Sequence, residues 1–99
     1  MRLSKEQASI IREEVVRQVG ADVQVRLFGS RVDDAARGGD IDLMVESAAR
    51  IDEPALLAAR LSARISRAMS GRRIDVVLRA PNLMELPIHT SALEEGVLL

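Results

Sequence analysis

Cysteine, tryptophan and tyrosine are absent from this 99-residue sequence, and Phe28 is its only aromatic residue. Without cysteine the chain cannot form disulfides, thiolate metal sites or a thiol nucleophile, and this composition suits a reducing compartment. With one aromatic ring the chain cannot build the stacking platforms by which many RNA-binding sheets hold bases. These absences exclude disulfide-stapled scaffolds, cysteine enzymes and aromatic-rich RNA-binding modules.

The sequence also lacks long apolar runs. Crossing a bilayer takes about 18 to 20 consecutive apolar residues, and no segment approaches that length. Residues 1–7 contain no apolar stretch typical of a signal peptide. We therefore expect a cytoplasmic protein that does not insert into a membrane.

Positive and negative charges nearly balance. The sequence has 14 Lys and Arg residues and 15 Asp and Glu residues, which gives a net charge of −1. Direct nucleic-acid binding is disfavoured, because such binding draws its affinity mainly from an excess of Lys and Arg on phosphates. A hydrophobic content of 47% is typical of a globular protein. The length predicts a single domain over 1–99.

Capping signals and periodicity predict alternating helices and strands. Ser4 and Gln7 are spaced as a capping box before a helix over 4–19, and Gly20 stands where a left-handed C-terminal cap belongs. Asp52 as N-cap and Pro54 in the first turn predict a second helix over 53–69. The other segments are strands over 23–28, 40–45 and 73–78, a loop over 31–39, one or two short helices within 83–95 interrupted at Pro87, and a short strand in 96–99. This order predicts an α/β or α+β fold with a small mixed β-sheet flanked by helices.

Apolar residues at helical spacing predict which helix faces are buried. On the first helix these are Ile11, Val15, Val16 and Val19, and on the second they are Leu57, Leu61 and Ile65. The methionines Met44, Met69 and Met84 are most simply explained as core residues.

Three acidic residues, Asp40, Asp42 and Asp75, stand within or at the start of otherwise apolar strands. In a strand, residues two apart point to the same face, so Asp40 and Asp42 present neighbouring carboxylates. If Asp75 lies on the adjacent strand, three carboxylates converge and each pair repels by about 3 kcal/mol at about 6 Å. Oxygen ligands without His or Cys suit Mg²⁺ or Mn²⁺ rather than Zn²⁺. Any one of these residues alone is also explained as a loop cap or a surface residue.

Gly29 and Ser30 follow the predicted first strand directly, and Arg31 comes next. A residue without a Cβ lets backbone N–H groups approach a phosphate, and a hydroxyl adds a donor. Taken alone, a Gly-Ser pair after a strand is most often an ordinary turn, and the sequence contains no Walker-type phosphate loop. An Asp-x-Asp motif a few residues later makes the combination more specific.

The remaining candidates have simple structural explanations. A lone histidine, His89 near Pro87, is more often a surface or packing residue than a catalyst. Arg60, Arg64 and Arg67 recur at helical spacing and predict a solvated basic face, with a docking patch for an acidic partner or RNA as the alternative.

Three segments carry a family resemblance: LFGSR at 27–31, GDIDL at 39–43 and RIDVV at 73–77. In these the sequence resembles the minimal nucleotidyltransferases of the DNA polymerase beta superfamily, of the MNT antitoxin type. The resemblance covers nearly the whole chain, through the LEEGVL segment at 93–98. It implies a polymerase beta-like nucleotidyltransferase fold.

The resemblance also implies site residues and a reaction. Asp40, Asp42 and Asp75 would be the catalytic residues and would hold two Mg²⁺ ions, with Mn²⁺ as the substitute. Gly29, Ser30 and Arg31 would bind the triphosphate of a nucleotide, with ATP as the substrate. The reaction implied is AMP transfer to a hydroxyl.

The length leaves no room for a separate acceptor-binding domain, so we expect the acceptor to come from another chain in a hetero-oligomer. In the family that the sequence resembles, that chain is often a HEPN ribonuclease toxin modified on a tyrosine. This context makes the protein the antitoxin of a toxin–antitoxin pair. Two alternatives stay open: an antitoxin that acts by binding alone, with its apolar C-terminal segment as the interface, and a nucleotidyltransferase subunit that modifies a small molecule.

Overall fold

A computed structural model describes residues 3–29 and 41–99. Its elements are α1 Lys5–Val19, β1 Val23–Phe28, β2 Ile41–Ser47, α2 Pro54–Ala68, β3 Ile74–Arg79, α3 Pro87–Glu95 and β4 Val97–Leu98. The predicted order of helices and strands is confirmed, and so is the mixed α and β class. Within the described ranges, no helix is both long and apolar enough to span a membrane.

The four strands form one mixed sheet in the order β3-β2-β1-β4. β1 is antiparallel to both β2 and β4, whereas β2 and β3 are parallel. The parallel pair is joined through α2, as a parallel connection requires a crossover. Since side chains alternate along each strand, the pairing gives the sheet two chemically different faces.

One face of the sheet forms the main core with α1 and α2. Its central members, Leu27 and Leu43, are opposite each other in register and are fully buried. The helices contribute Ile11 and Val15 from α1, and Leu61 and Ile65 from α2, all of them completely buried. The apolar stripes predicted for the two helices therefore do form the core.

The ends of α1 follow from its sequence, but one face prediction is wrong. The Ser4 side chain accepts from the Gln7 backbone N–H and the Gln7 side chain accepts from the Ser4 backbone N–H, which is the predicted capping box. Gly20 ends the helix as predicted, but its φ of +123° and ψ of 177° are not those of the left-handed cap that the sequence analysis expected. Val16, predicted as buried, is 40% exposed, and the buried position is taken by Glu14, whose carboxylate pairs with Arg17.

The start of α2 differs from the prediction in its capping residue. The N-cap is Glu53 rather than Asp52, and no side chain caps the helix. Asp52 instead pairs with Arg50 at 2.8 Å. Pro54 occupies the first turn as expected, where its missing N–H breaks no helical hydrogen bond.

The opposite face of the sheet is covered in its middle by α3. Phe28, Met44 and Ala92 form a second buried cluster there, with Val77 and Leu93 packed against it. Met44 and Met69 are buried as predicted, whereas Met84 is 79% exposed, so its assignment to the core is wrong. This cluster reaches the acidic end of the face, because Phe28 is the register partner of Asp42.

His89 attaches the first turn of α3 to the edge of the sheet. It is buried, with Nδ1 accepting a hydrogen bond from the Leu86 N–H at 2.9 Å. Because Nδ1 is an acceptor, Nε2 carries the proton and donates to the Leu78 carbonyl, also at 2.9 Å. The packing explanation of His89 is therefore correct, and its ring satisfies two backbone groups.

Replacing His89 with alanine is expected to lower the free energy of unfolding by about 1–3 kcal/mol, because the buried Leu78 carbonyl and the partly buried Leu86 N–H lose their partner. Urea unfolding monitored by circular dichroism measures this. The matched control is Thr90→Ala, on the next residue of α3, which is exposed. Equal stabilities of the two variants would contradict the anchoring role.

Candidate functional site

The described residues place three of the predicted site residues at one end of the sheet, on the face that carries α3. Asp42 lies in β2, Asp75 lies in β3 and Gly29 follows β1 directly. Asp40, Ser30 and Arg31 lie outside the described residues.

Asp42 and Asp75 are directly opposite each other in the parallel register of β2 and β3. Adjacent strands lie about 4.8 Å apart, and side chains at paired positions point to the same face. Their neighbours Ile41 and Leu43 point to the other face and are completely buried. The sheet therefore places two carboxylates side by side outside the main core, as the sequence analysis expected if the strands were adjacent.

Gly29 allows the end of β1 to lie close to the Asp42 carboxylate. Its φ is +74°, a conformation that glycine adopts without steric cost. A Cβ on this residue would lie 2.5 Å from Oδ2 of Asp42, which is closer than nonbonded atoms approach each other. The space that a side chain would fill at position 29 is therefore occupied by the carboxylate.

Arg73, which begins the RIDVV segment, is a site neighbour to which the sequence analysis gave no site role. Its Nε lies 3.5 Å from Oδ1 of Asp75, and both side chains are substantially exposed. Such an exposed ion pair is weak, generally below about 1 kcal/mol. Arg73 thus brings a cation to the acidic end of the sheet while leaving the Asp75 carboxylate accessible. The sequence offered one signal for this contact, since Arg73 and Asp75 both stand at the start of the same predicted strand.

The other end of the same face carries a second charge cluster. Glu46 pairs with Arg26 at 2.8 Å and with Arg79 at 3.1 Å, and Arg79 also contacts Glu85. The hydrogen bond and charge of Glu85, followed by the charge of Glu46, raise the pKa of Arg79, so its guanidinium remains charged. Because these charges compensate one another, this end of the sheet has the character of a structural ion-pair cluster.

The acidic end has the donor set of a hard divalent cation. Carboxylate oxygens are the protein ligands that Mg²⁺ and Mn²⁺ prefer, and the only histidine already uses both ring nitrogens in backbone hydrogen bonds. Within residues 3–29 and 41–99, no group of three acidic or histidine side chains is able to hold a metal ion. Asp42 and Asp75 supply two carboxylates, and the third predicted ligand is Asp40. The two carboxylates at this end of the sheet are therefore of the kind that a magnesium site requires.

The sequence matches the family model of the nucleotidyltransferase domain over residues 8–99. The chain belongs to this nucleotidyltransferase domain family. The match includes all three segments on which the resemblance rests, and it confirms the expected superfamily. A search of the curated proteins found no match to this sequence.

Solved structures support the same fold. A protein from Shewanella oneidensis superposes with a TM-score of 0.69 at 16% identity, covering 98% of this chain and 71% of the other. A toxin–antitoxin complex with AMP-PNP gives 0.66 at 18% identity, covering 97% and 72%. The tri-AMPylated Shewanella oneidensis HEPN toxin in complex with MNT antitoxin gives 0.60 at 19% identity, covering 93% and 70%. At these identities the similarity establishes the nucleotidyltransferase fold.

Replacing Gly29 with alanine is expected to displace the Asp42 carboxylate and to lower the affinity for Mn²⁺ about 10- to 100-fold. Titration with Mn²⁺, followed by electron paramagnetic resonance, measures the change. Gly71→Ala is the matched control, because Gly71 also has a positive φ of +82° but nothing lies within 4 Å of the position that a Cβ would take there. If both variants bind Mn²⁺ like the wild type, the close approach at Gly29 has no role in the site.

Proposed function

We propose that this chain transfers AMP from ATP to a hydroxyl of a partner protein, the tyrosine of a HEPN-type ribonuclease toxin, and so acts as an antitoxin. The observation that carries the proposal is made at one end of the sheet. Asp42 and Asp75 occupy paired positions of β2 and β3 there, and Gly29 lies beside the Asp42 carboxylate. Membership of the nucleotidyltransferase family supports the reaction class. The solved complexes support the choice of nucleotide and partner, since one contains AMP-PNP and another a tri-AMPylated HEPN toxin.

The proposal assigns Asp40, Asp42 and Asp75 to two Mg²⁺ ions. When bound, such ions neutralise phosphate charge and favour loss of the proton from the attacking hydroxyl. The register supports shared ligation, because paired positions bring carboxylates from two strands to the same face. Gly29, Ser30 and Arg31 would bind the triphosphate next to them.

The chemical step is an in-line displacement at the α-phosphorus of ATP. The acceptor oxygen forms a bond to that phosphorus while the bond to the bridging oxygen of the pyrophosphate breaks. The acceptor proton passes to Asp75 and then to solvent, and pyrophosphate leaves. Asp75 suits this role because its side chain is 46% exposed and is therefore accessible to an acceptor.

In this proposal the chain is one nucleotidyltransferase domain that works in the cytoplasm as part of a hetero-oligomer with its toxin. The partner supplies the acceptor hydroxyl and the chain supplies the nucleotide site.

Neutralisation by binding alone is the second candidate function. It is supported by the apolar residues Val97 and Leu98 of the short strand β4, which are 36% and 51% exposed. An occluding antitoxin would use such a surface without needing the carboxylates. The presence of Asp42 and Asp75 at paired positions favours the enzymatic function.

The Asp42→Asn variant is expected to abolish AMP transfer, because it removes a carboxylate charge from the proposed metal site. Intact-mass spectrometry of the HEPN-type protein after incubation with Mg-ATP measures transfer as a gain of AMP units. The matched control is Asp52→Asn, since Asp52 is an exposed carboxylate outside the site. Unchanged transfer by the Asp42→Asn variant would overturn the site assignment. Toxin neutralisation by this variant without any mass gain would favour the binding antitoxin.

The Asp75→Asn variant is expected to lower the transfer rate about 10²- to 10⁴-fold, the usual contribution of a general base. The affinity for ATP should change much less, because the proposed triphosphate contacts lie at Gly29, Ser30 and Arg31. Single-turnover kinetics and isothermal titration with a nonhydrolysable ATP analogue separate the two effects. Equal losses in rate and ATP affinity would argue against a proton-accepting role for Asp75.

A further inference from the structure

The exposed face of α2 carries a row of arginines that the proposed reaction does not use. Arg60, Arg64 and Arg67 are all exposed on α2, and Arg72 is exposed in the segment that follows the helix. We call these four residues the basic stripe. Between its arginines the same face is lined by small side chains, and Leu56 stands at its start with 50% of its surface exposed.

The basic stripe lies in a segment whose charge differs from that of the rest of the chain. Residues 54–74 contain five of the 14 basic residues and none of the 15 acidic ones. The whole chain nevertheless has a net charge of −1, so the remaining residues are collectively acidic. Positive charge is thus concentrated along α2 and the turn that follows it.

The arginines of the basic stripe form no ion pair with any carboxylate of the described residues, 3–29 and 41–99. Other arginines do have carboxylate partners, namely Arg17, Arg26, Arg50, Arg73 and Arg79. Four aligned cations without intramolecular compensation produce a local positive potential. That potential is available to a partner of opposite charge.

The basic stripe ends close to the start of β3 along the chain. The Ser62 hydroxyl of α2 donates to the Ile74 carbonyl at 2.5 Å, which holds the helix against the start of β3. Arg72 is followed by Arg73, whose Nε is 3.5 Å from Oδ1 of Asp75. β3 is an edge strand of the sheet in the described part of the chain. A partner lying along α2 therefore reaches the edge of the sheet formed by β3, whereas Asp75 lies on the face of the sheet opposite to α2.

We propose that the basic stripe is the docking surface for an acidic face of the acceptor protein. The inference rests on the proposed function for the identity of the acceptor. Charge complementarity identifies an acidic partner, and the exposed alanines of α2 permit close approach of a protein surface. The exposed positions are Ala55, Ala59, Ala63 and Ala68.

A protein partner fits this surface better than RNA. The described chain exposes no aromatic ring for base stacking, because Phe28 is the only one and is 9% exposed. The net charge of −1 also opposes long-range attraction of a polyanion. An acidic protein face requires only local complementarity along one helix.

The test is the double variant Arg60→Glu/Arg64→Glu, with a HEPN-type toxin protein as the probe. Biolayer interferometry is expected to show an affinity lowered about tenfold or more, since two attractive contacts become repulsive. Wild-type affinity should fall with added salt, and that dependence should shrink in the variant. Arg12→Glu is the matched control, because Arg12 is an exposed arginine on α1 outside the basic stripe.

The outcomes separate the docking surface from the proposed reaction. Unchanged partner affinity in the double variant, or no binding by the wild type, overturns the docking surface. Binding of a short single-stranded RNA that the double variant loses, with partner affinity unchanged, overturns it in favour of a nucleic-acid surface. Weakened partner binding together with no AMP transfer by the wild type supports the docking surface and overturns the proposed function.

Discussion

The in-register parallel pairing of β2 and β3 is the constraint on which the candidate site depends. It sets Asp42 opposite Asp75 and at the same time buries Ile41 and Leu43 in the main core. A slip of one residue would exchange the two faces of a strand, turning a carboxylate into the core and an apolar residue outwards. The free energy of burying the apolar residues therefore also maintains the position of the carboxylates.

The two faces of the sheet make different contributions to the molecule. The face beneath α1 and α2 holds most of the buried apolar residues and provides the stability. The opposite face has a smaller cluster around Met44, with α3 held in place by His89. At the acidic end of that face the Asp75 side chain is 46% exposed and therefore accessible. The site thus combines neighbouring carboxylates with a well-packed support.

The crossover helix α2 connects these features. Its buried side packs Leu61 and Ile65 against the sheet, and its exposed side carries Arg60 and Arg64. It joins the two strands that bear Asp42 and Asp75, so its orientation relative to the acidic end is determined by the same pairing. An interaction along its exposed face therefore has a defined geometry relative to the carboxylates.

Most elements were predictable because their signals are local. The capping box of Ser4 and Gln7, the alternation in β1 and the helical spacing of Leu61 and Ile65 each lie within a few residues, and the structure confirms them. Some predictions made from local patterns are wrong, because other contacts compete with the predicted ones. Val16 is exposed while Glu14 is buried, and Asp52 has Arg50 as a partner instead of capping α2.

The sequence by itself determined the order of the elements, the face on which each strand carries its acidic residues, and the family resemblance. Only the tertiary structure decided that Asp42 and Asp75 are opposite each other, and that the carboxylate of Asp42 fills the space beside Gly29. It also decided that His89 binds the backbone of β3 and that Glu46 joins Arg26 and Arg79. The physical reason is range: helix and strand periodicity depends on neighbouring residues, whereas these contacts join segments that only the packing of the whole sheet brings together.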